Sequence, residues 1–105
     1  MEPILVQTSF GEREDAMKIA KLLLEKRLIA CAQITGPGTS LYWWQGKIEY
    51  ADELILVMKS SRACYAELEE IILEHHPYET PEILAVSVSQ GNSAYLGWLA
   101  GELKS

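Results

Sequence analysis

Both histidines of the chain stand side by side, at the head of the segment His75-His76-Pro77-Tyr78-Glu79-Thr80-Pro81-Glu82. Imidazoles are the usual ligands for copper, zinc and nickel, and two of them beside a carboxylate such as Glu79 can begin a divalent-metal site. Adjacent residues on a helix point apart. A joint site therefore needs the helix to end at Pro77 and the backbone to turn extended. The prolines at 77 and 81 restrict the chain on both sides and present Tyr78 and Glu79 at low entropic cost. The competing reading is that His75 and His76 only complement the negative end of the helix before them.

A second cluster is Tyr42-Trp43-Trp44-Gln45-Gly46-Lys47-Ile48-Glu49. Its aromatic groups need burial whatever else they do, and a subunit interface supplies it. Lys47 and Glu49 fall on one side of a strand, where they can pair across a ligand cleft or solvate its rim. The chain has no P-loop, no strand followed by G-x-G-x-x-G, no H-E-x-x-H and no G-x-S-x-G. No nucleophile, base and orienting group assemble from the residues present, so the protein is not expected to be an enzyme. Cys31 and Cys64 lack a metal-type pair spacing and are read as reduced, packed thiols.

The elements that must position these clusters follow from the hydrophobic periods. Ile4-Leu5-Val6 reads as a short buried strand, and Ser9 with Glu12 three residues on has the form of a capping box. Ala16, Ile19, Ala20, Leu23 and Leu24 then recur at helical spacing. Ile29 to Ile34 predicts a second strand, broken at Gly36-Pro37-Gly38 and resumed at Leu41 to Trp44. Gln45-Gly46 is a two-residue hairpin turn, and a third strand follows from Lys47 through the apolar run Leu54 to Met58. Ser60 or Ser61 can cap a second helix with the stripe Cys64, Leu68, Ile71 and Ile72, stopped by Pro77. Ile83 to Val88 gives a fourth strand, and a short C-terminal helix carries Tyr95, Leu96, Trp98 and Leu99.

The order β-α-β-β-α-β-α predicts an α+β ferredoxin-like split β-α-β sandwich. Right-handed crossovers put the first two helices on one face of a four-stranded antiparallel sheet. With 105 residues and no linker-like tract, residues 1–105 are expected to form a single domain. Fully extended, Lys47 to Ser60 would reach roughly 45 Å at ~3.3 Å per residue, whereas a domain of ~100 residues has a radius of gyration of only ~13 Å. Unless it bends, the hairpin overhangs its own core, which points to a closed oligomer that buries its aromatics. The alternative is a bulge near Ala51-Asp52-Glu53 that folds the hairpin back onto its own sheet.

Fifteen acidic residues against nine basic ones give a net charge of -6, which repels a polyphosphate backbone and makes nucleic acid a poor partner. No run approaches the ~20 apolar residues of a membrane span, and Met1-Glu2-Pro3 has no basic flank of a signal peptide. A cytoplasmic location, away from membranes, is expected.

Leu28-Ile29-Ala30-Cys31-Ala32, then Pro37-Gly38-x-Ser40-x-Tyr42-x-Trp44-x-Gly46-Lys47-Ile48-Glu49, then His76-Pro77-Tyr78-Glu79-x-Pro81-Glu82-Ile83 and Tyr95-Leu96-x-Trp98 together resemble the CutA family of divalent-ion tolerance proteins. The resemblance runs over nearly the whole chain. It implies the ferredoxin-like fold, a tight cytoplasmic homotrimer, and binding of copper or similar divalent ions with His75 and His76 as ligands. It further implies a cleft or interface drawing on Tyr42, Trp44, Lys47, Glu49, Tyr78, Glu79 and Trp98. Relatives credited with copper ligands carry a first-strand cysteine where this chain has Gln7, and loss of that thiolate should weaken Cu(I) selectivity most. The trimer of such proteins resembles that of the PII signalling proteins, which implies a trimeric signalling module with an intersubunit ligand cleft as the second reading.

Overall fold

A computed structural model describes residues 1–104. Four antiparallel strands, β1 (Pro3–Phe10), β2 (Cys31–Trp44), β3 (Lys47–Ser61) and β4 (Leu84–Ser87), form one sheet in the order β2-β3-β1-β4. Between them run α1 (Arg13–Glu25) and α2 (Tyr65–His75), the latter entered through a 3-10 turn at Arg62–Cys64, and α3 (Ser93–Glu102) closes the chain. This is the predicted split β-α-β arrangement.

One face of the sheet makes the core. Ile4, Val6, Thr8 and Phe10 of β1 and Leu54, Leu56, Met58 and Ser60 of β3 alternate inward, as a period of two requires. Ala16, Ile19, Ala20 and Leu23 of α1 cover them together with Leu68, Ile71 and Ile72 of α2. Leu24, expected in the stripe of α1, stays exposed. Cys64 is buried in this core. On the other face Leu5, Val57, Ile55 and Gln7 remain only half-buried. Tyr95 of α3 reaches that face, with its hydroxyl 3.7 Å from Cys31 Sγ and Lys59 Nζ 5.6 Å from its ring centre.

Two predicted caps are absent, each for a local reason. Ser9 is paired with Ile55 inside β1, so the strand runs on to Phe10 and α1 starts from Glu12 with no side-chain cap. Ser60 donates instead to the carbonyl of Leu28 at 2.6 Å, and Ser61 precedes the 3-10 turn without capping it. The cap that does form is Asn92, whose Oδ1 accepts from Tyr95 N at 2.9 Å at the start of α3. α1 ends in a Schellman pattern, with Leu28 N on Leu23 O and Arg27 N on Leu24 O, which places Arg27 at φ 57 where glycine is usual. Arg27 also anchors the chain end, through its carbonyl to Lys104 N and through Nη1 to Glu102 Oε2 at 2.8 Å.

The hairpin differs from expectation in one respect. β2 is not interrupted at Gly36-Pro37-Gly38 but carries a bulge there, with Thr35 opposite Ile55 and Gly38 opposite Glu53. Gly36 has φ +109, and a Cβ on it would lie 2.9 Å from Gly38 N and 3.0 Å from Glu53 O, so no other residue fits the kink. The bulge therefore sits on β2, not on β3 near Ala51. Gln45 and Gly46 both have positive φ, the requirement of the tight turn that ends the hairpin. The hairpin does not fold back, and the chain measures 45 × 26 × 21 Å.

Candidate functional site: the histidine segment and the aromatic hairpin

The end of α2 separates the two histidines. His75 is the last helical residue and is exposed, whereas His76 is the C-cap, with extended backbone and only 8% of its surface accessible. The backbone turns extended at His76, ahead of Pro77, and one imidazole is buried while the other stays in solvent.

His76 is bound on every side. Its ring stacks on Phe10 with centres 4.3 Å apart and planes 14° from parallel. Nε2 lies 2.8 Å from the carbonyl oxygen of Ser9, and Nδ1 is 3.0 Å from the backbone nitrogen of Tyr78. A carbonyl can only accept and an amide N–H can only donate, so the ring is the neutral tautomer with its proton on Nε2. Burial pushes the pKa of His76 below the ordinary histidine value, partly opposed by the bond to Ser9 and by the charges of Asp15 and Glu53. Both nitrogens are committed to backbone, which leaves no lone pair for a metal. His76 was expected to be the more rigidly presented ligand; it is rigid because of these bonds, and they remove it from the ligand set in this fold.

Tyr78 continues the arrangement. Its ring lies 4.8 Å from that of His76, and its hydroxyl donates to Glu53 Oε2 at 2.9 Å. Burial, then the hydrogen bond and charge of Glu53, push its pKa up to about 12, so it stays a donor at neutral pH. Glu79 is exposed beyond it. On β1, Gln7 donates to Glu82 Oε2 at 2.9 Å and so holds the approach to β4.

Among the described residues, no group of three or more His, Cys, Asp and Glu side chains converges closely enough to hold a metal ion. Within one chain the donor set therefore does not fit a bound cation. His75, Glu79 and Glu82 are the accessible metal-ligating side chains of the segment, Glu82 also accepting from Gln7.

The hairpin assembles the second cluster as the alternation predicts. Tyr42 pairs with Glu49 and Trp44 with Lys47, so all four share one face, while Trp43 with Ile48 and Leu41 with Tyr50 share the other. All eight are exposed, with Trp43 72% and Tyr50 74% accessible. Trp98 is elsewhere, beside Tyr95 with ring centres 5.5 Å apart. Tyr95 lies against Lys59, and Lys47 to Lys59 along β3 is roughly 40 Å at ~3.3 Å per residue. The expected cleft of Trp44, Lys47 and Glu49 with Trp98 does not form within one chain.

Sequence reasoning missed Ser9, Phe10 and Glu53 as partners of the histidine segment. Phe10 is the only phenylalanine of the chain and ends β1, but nothing in its spacing points to residue 76. Only the fold joins the end of β1 to the end of α2.

The family model of the CutA1 divalent ion tolerance proteins matches residues 4–102. The divalent-cation tolerance protein CutA of Pyrococcus horikoshii is 43% identical over 101 residues, spanning 96% of this chain and 98% of its own length. The solved structure of the divalent cation tolerance protein of Thermus thermophilus superimposes with a TM-score of 0.94 at 37% identity, covering 97% of this chain and 99% of that one. The CutA1 structure from Oryza sativa reaches 0.95 at 29% identity, covering 99% and 95%.

Proposed function

Because the chain belongs to the CutA divalent-ion tolerance family, we propose that it works in the cytoplasm as a closed homotrimer that binds divalent cations, copper first, where its copies meet. The observation that carries the oligomer is the far half of the hairpin. Four large aromatic groups, Tyr42, Trp43, Trp44 and Tyr50, are exposed on a ribbon that one chain cannot cover. A symmetric assembly buries them against a neighbour's apolar surface, and Leu84 and Val86 on β4 are exposed apolar residues of that kind. It also brings the distant Trp98 of one copy within reach of the hairpin of another.

The cation reading rests on family membership and on donor chemistry. His75 offers an exposed imidazole and Glu79 a carboxylate, too few for a site in one chain but the start of one when a second copy adds its own groups. Without a thiolate at position 7, preference should fall on Cu(II) or Zn(II) over Cu(I).

Sedimentation velocity at nanomolar concentration tests the assembly, and a stable monomer would overturn it. Calorimetric titration with Cu(II) tests the cation. Saturable binding in the parent that falls at least tenfold in the His75→Ala, Glu79→Gln double variant supports these donors. Equal binding by parent and double variant would overturn them.

A further inference from the structure

β1 stops pairing with β3 at Phe10 and Leu54. Glu53 is thus the first residue of β3 with β2 alone beside it, and the β2 bulge lies directly across from it. A two-stranded ribbon is weakly held, and a bulge is where it bends and twists. The direction of the overhang is decided at this point.

The loop after α2 reaches the same point. Tyr78 donates its hydroxyl to Glu53 at 2.9 Å, and its backbone N–H is held by His76 Nδ1 at 3.0 Å. His76 in turn is stacked on Phe10 and bonded to Ser9 O, the last two residues of β1. A continuous set of contacts therefore ties the end of β1 to the first unsupported residue of the hairpin.

We propose that His76 and Tyr78 are positioning residues, a clamp that sets the angle at which the aromatic hairpin leaves the sheet. The clamp explains why His76 is neutral, buried and saturated with hydrogen bonds: a ligand must keep a lone pair free, whereas a bracket must not. It deepens the oligomer reading and rests on it for its purpose, since a hairpin fixed in the right direction loses less freedom on meeting a neighbour.

Tyr78→Phe keeps the ring and deletes the hydroxyl. Backbone hydrogen exchange on the full chain should show amides of residues 39–52 exchanging about five- to tenfold faster, the ratio that one partly exposed hydrogen bond to a carboxylate sustains. Amides of α1 should be unchanged. Glu53→Gln should act in the same direction and less strongly, because its amide oxygen still accepts, and the double variant should exceed Tyr78→Phe by little. On dilution the Tyr78→Phe protein should dissociate at about tenfold higher concentration than the parent. Unchanged hairpin exchange would overturn the clamp, as would equal acceleration in α1, which is the mark of a general loss of stability. A monomeric parent would overturn the oligomer reading alone, because hairpin exchange reports on the clamp in either state.

Discussion

From Leu54 to Ser61, β3 is paired with β1, and from Ile55 to Lys59 with β2 as well, beneath two helices, and Leu54, Leu56, Met58 and Ser60 are buried. From Lys47 to Asp52 the same strand has only β2 beside it, and every residue except the half-buried Ala51 is exposed. Pairing with β2 extends through both halves, broken only by the bulge at their junction. Backbone pairing is thus enough to propagate a strand, but it gives the distal half no apolar burial, and net stability comes chiefly from burial. The proximal half is a completed core, while the distal half is a surface in want of one.

The largest effect that separates the two halves is expected at Leu56, fully buried at the centre of the core. Leu56→Ala should cost about 3–5 kcal/mol, read from denaturant midpoints. A loss below about 1 kcal/mol would mean that the core face is misassigned.

Trp44→Ala comes next. In an isolated chain the residue is 57% exposed and its removal should hardly matter. In the proposed trimer it should weaken association by about 2–4 kcal/mol, as an aromatic anchor does. Sedimentation equilibrium over a dilution series measures the difference, and an unchanged association constant would sever the hairpin from the interface.

Thr8 offers a smaller test inside the core. Its hydroxyl is buried with no hydrogen-bond partner among the described residues. Thr8→Val keeps the shape and removes the orphan group, so stability should rise by about 1 kcal/mol. A fall in the thermal midpoint would show that the hydroxyl is satisfied in solution, by water for example.

The smallest effect expected is on pH. The folded pKa of His76 lies below its unfolded value of about 6.5. The unfolded chain therefore takes up the proton first, and the contribution of His76 to stability is complete above pH ~6.5. It is lost as pH falls from there through the depressed folded value. In metal-free buffer the parent should lose stability over that window more steeply than His76→Gln, which cannot titrate. Parallel curves would mean that the imidazole is not buried neutral.

The order of elements, the helix stripes Ala16-Ile19-Ala20-Leu23 and Cys64-Leu68-Ile71-Ile72, and the sharing of one hairpin face by Tyr42, Trp44, Lys47 and Glu49 were legible in the amino-acid sequence. Each depends on a repeat of 3.6 or 2 residues, and such periods are local. The excess length of the hairpin was legible too, because rise per residue is nearly constant. The fate of Ser9 was not: a capping box and a continued strand are both locally satisfactory, and pairing with Ile55 decides between them. Nor was the role of His76. Side by side in sequence, the histidines look alike. Tertiary structure alone brings Phe10 and Ser9 against His76 while leaving His75 in water, because the stacking ring and the acceptor for Nε2 belong to neighbours more than sixty residues away in the chain.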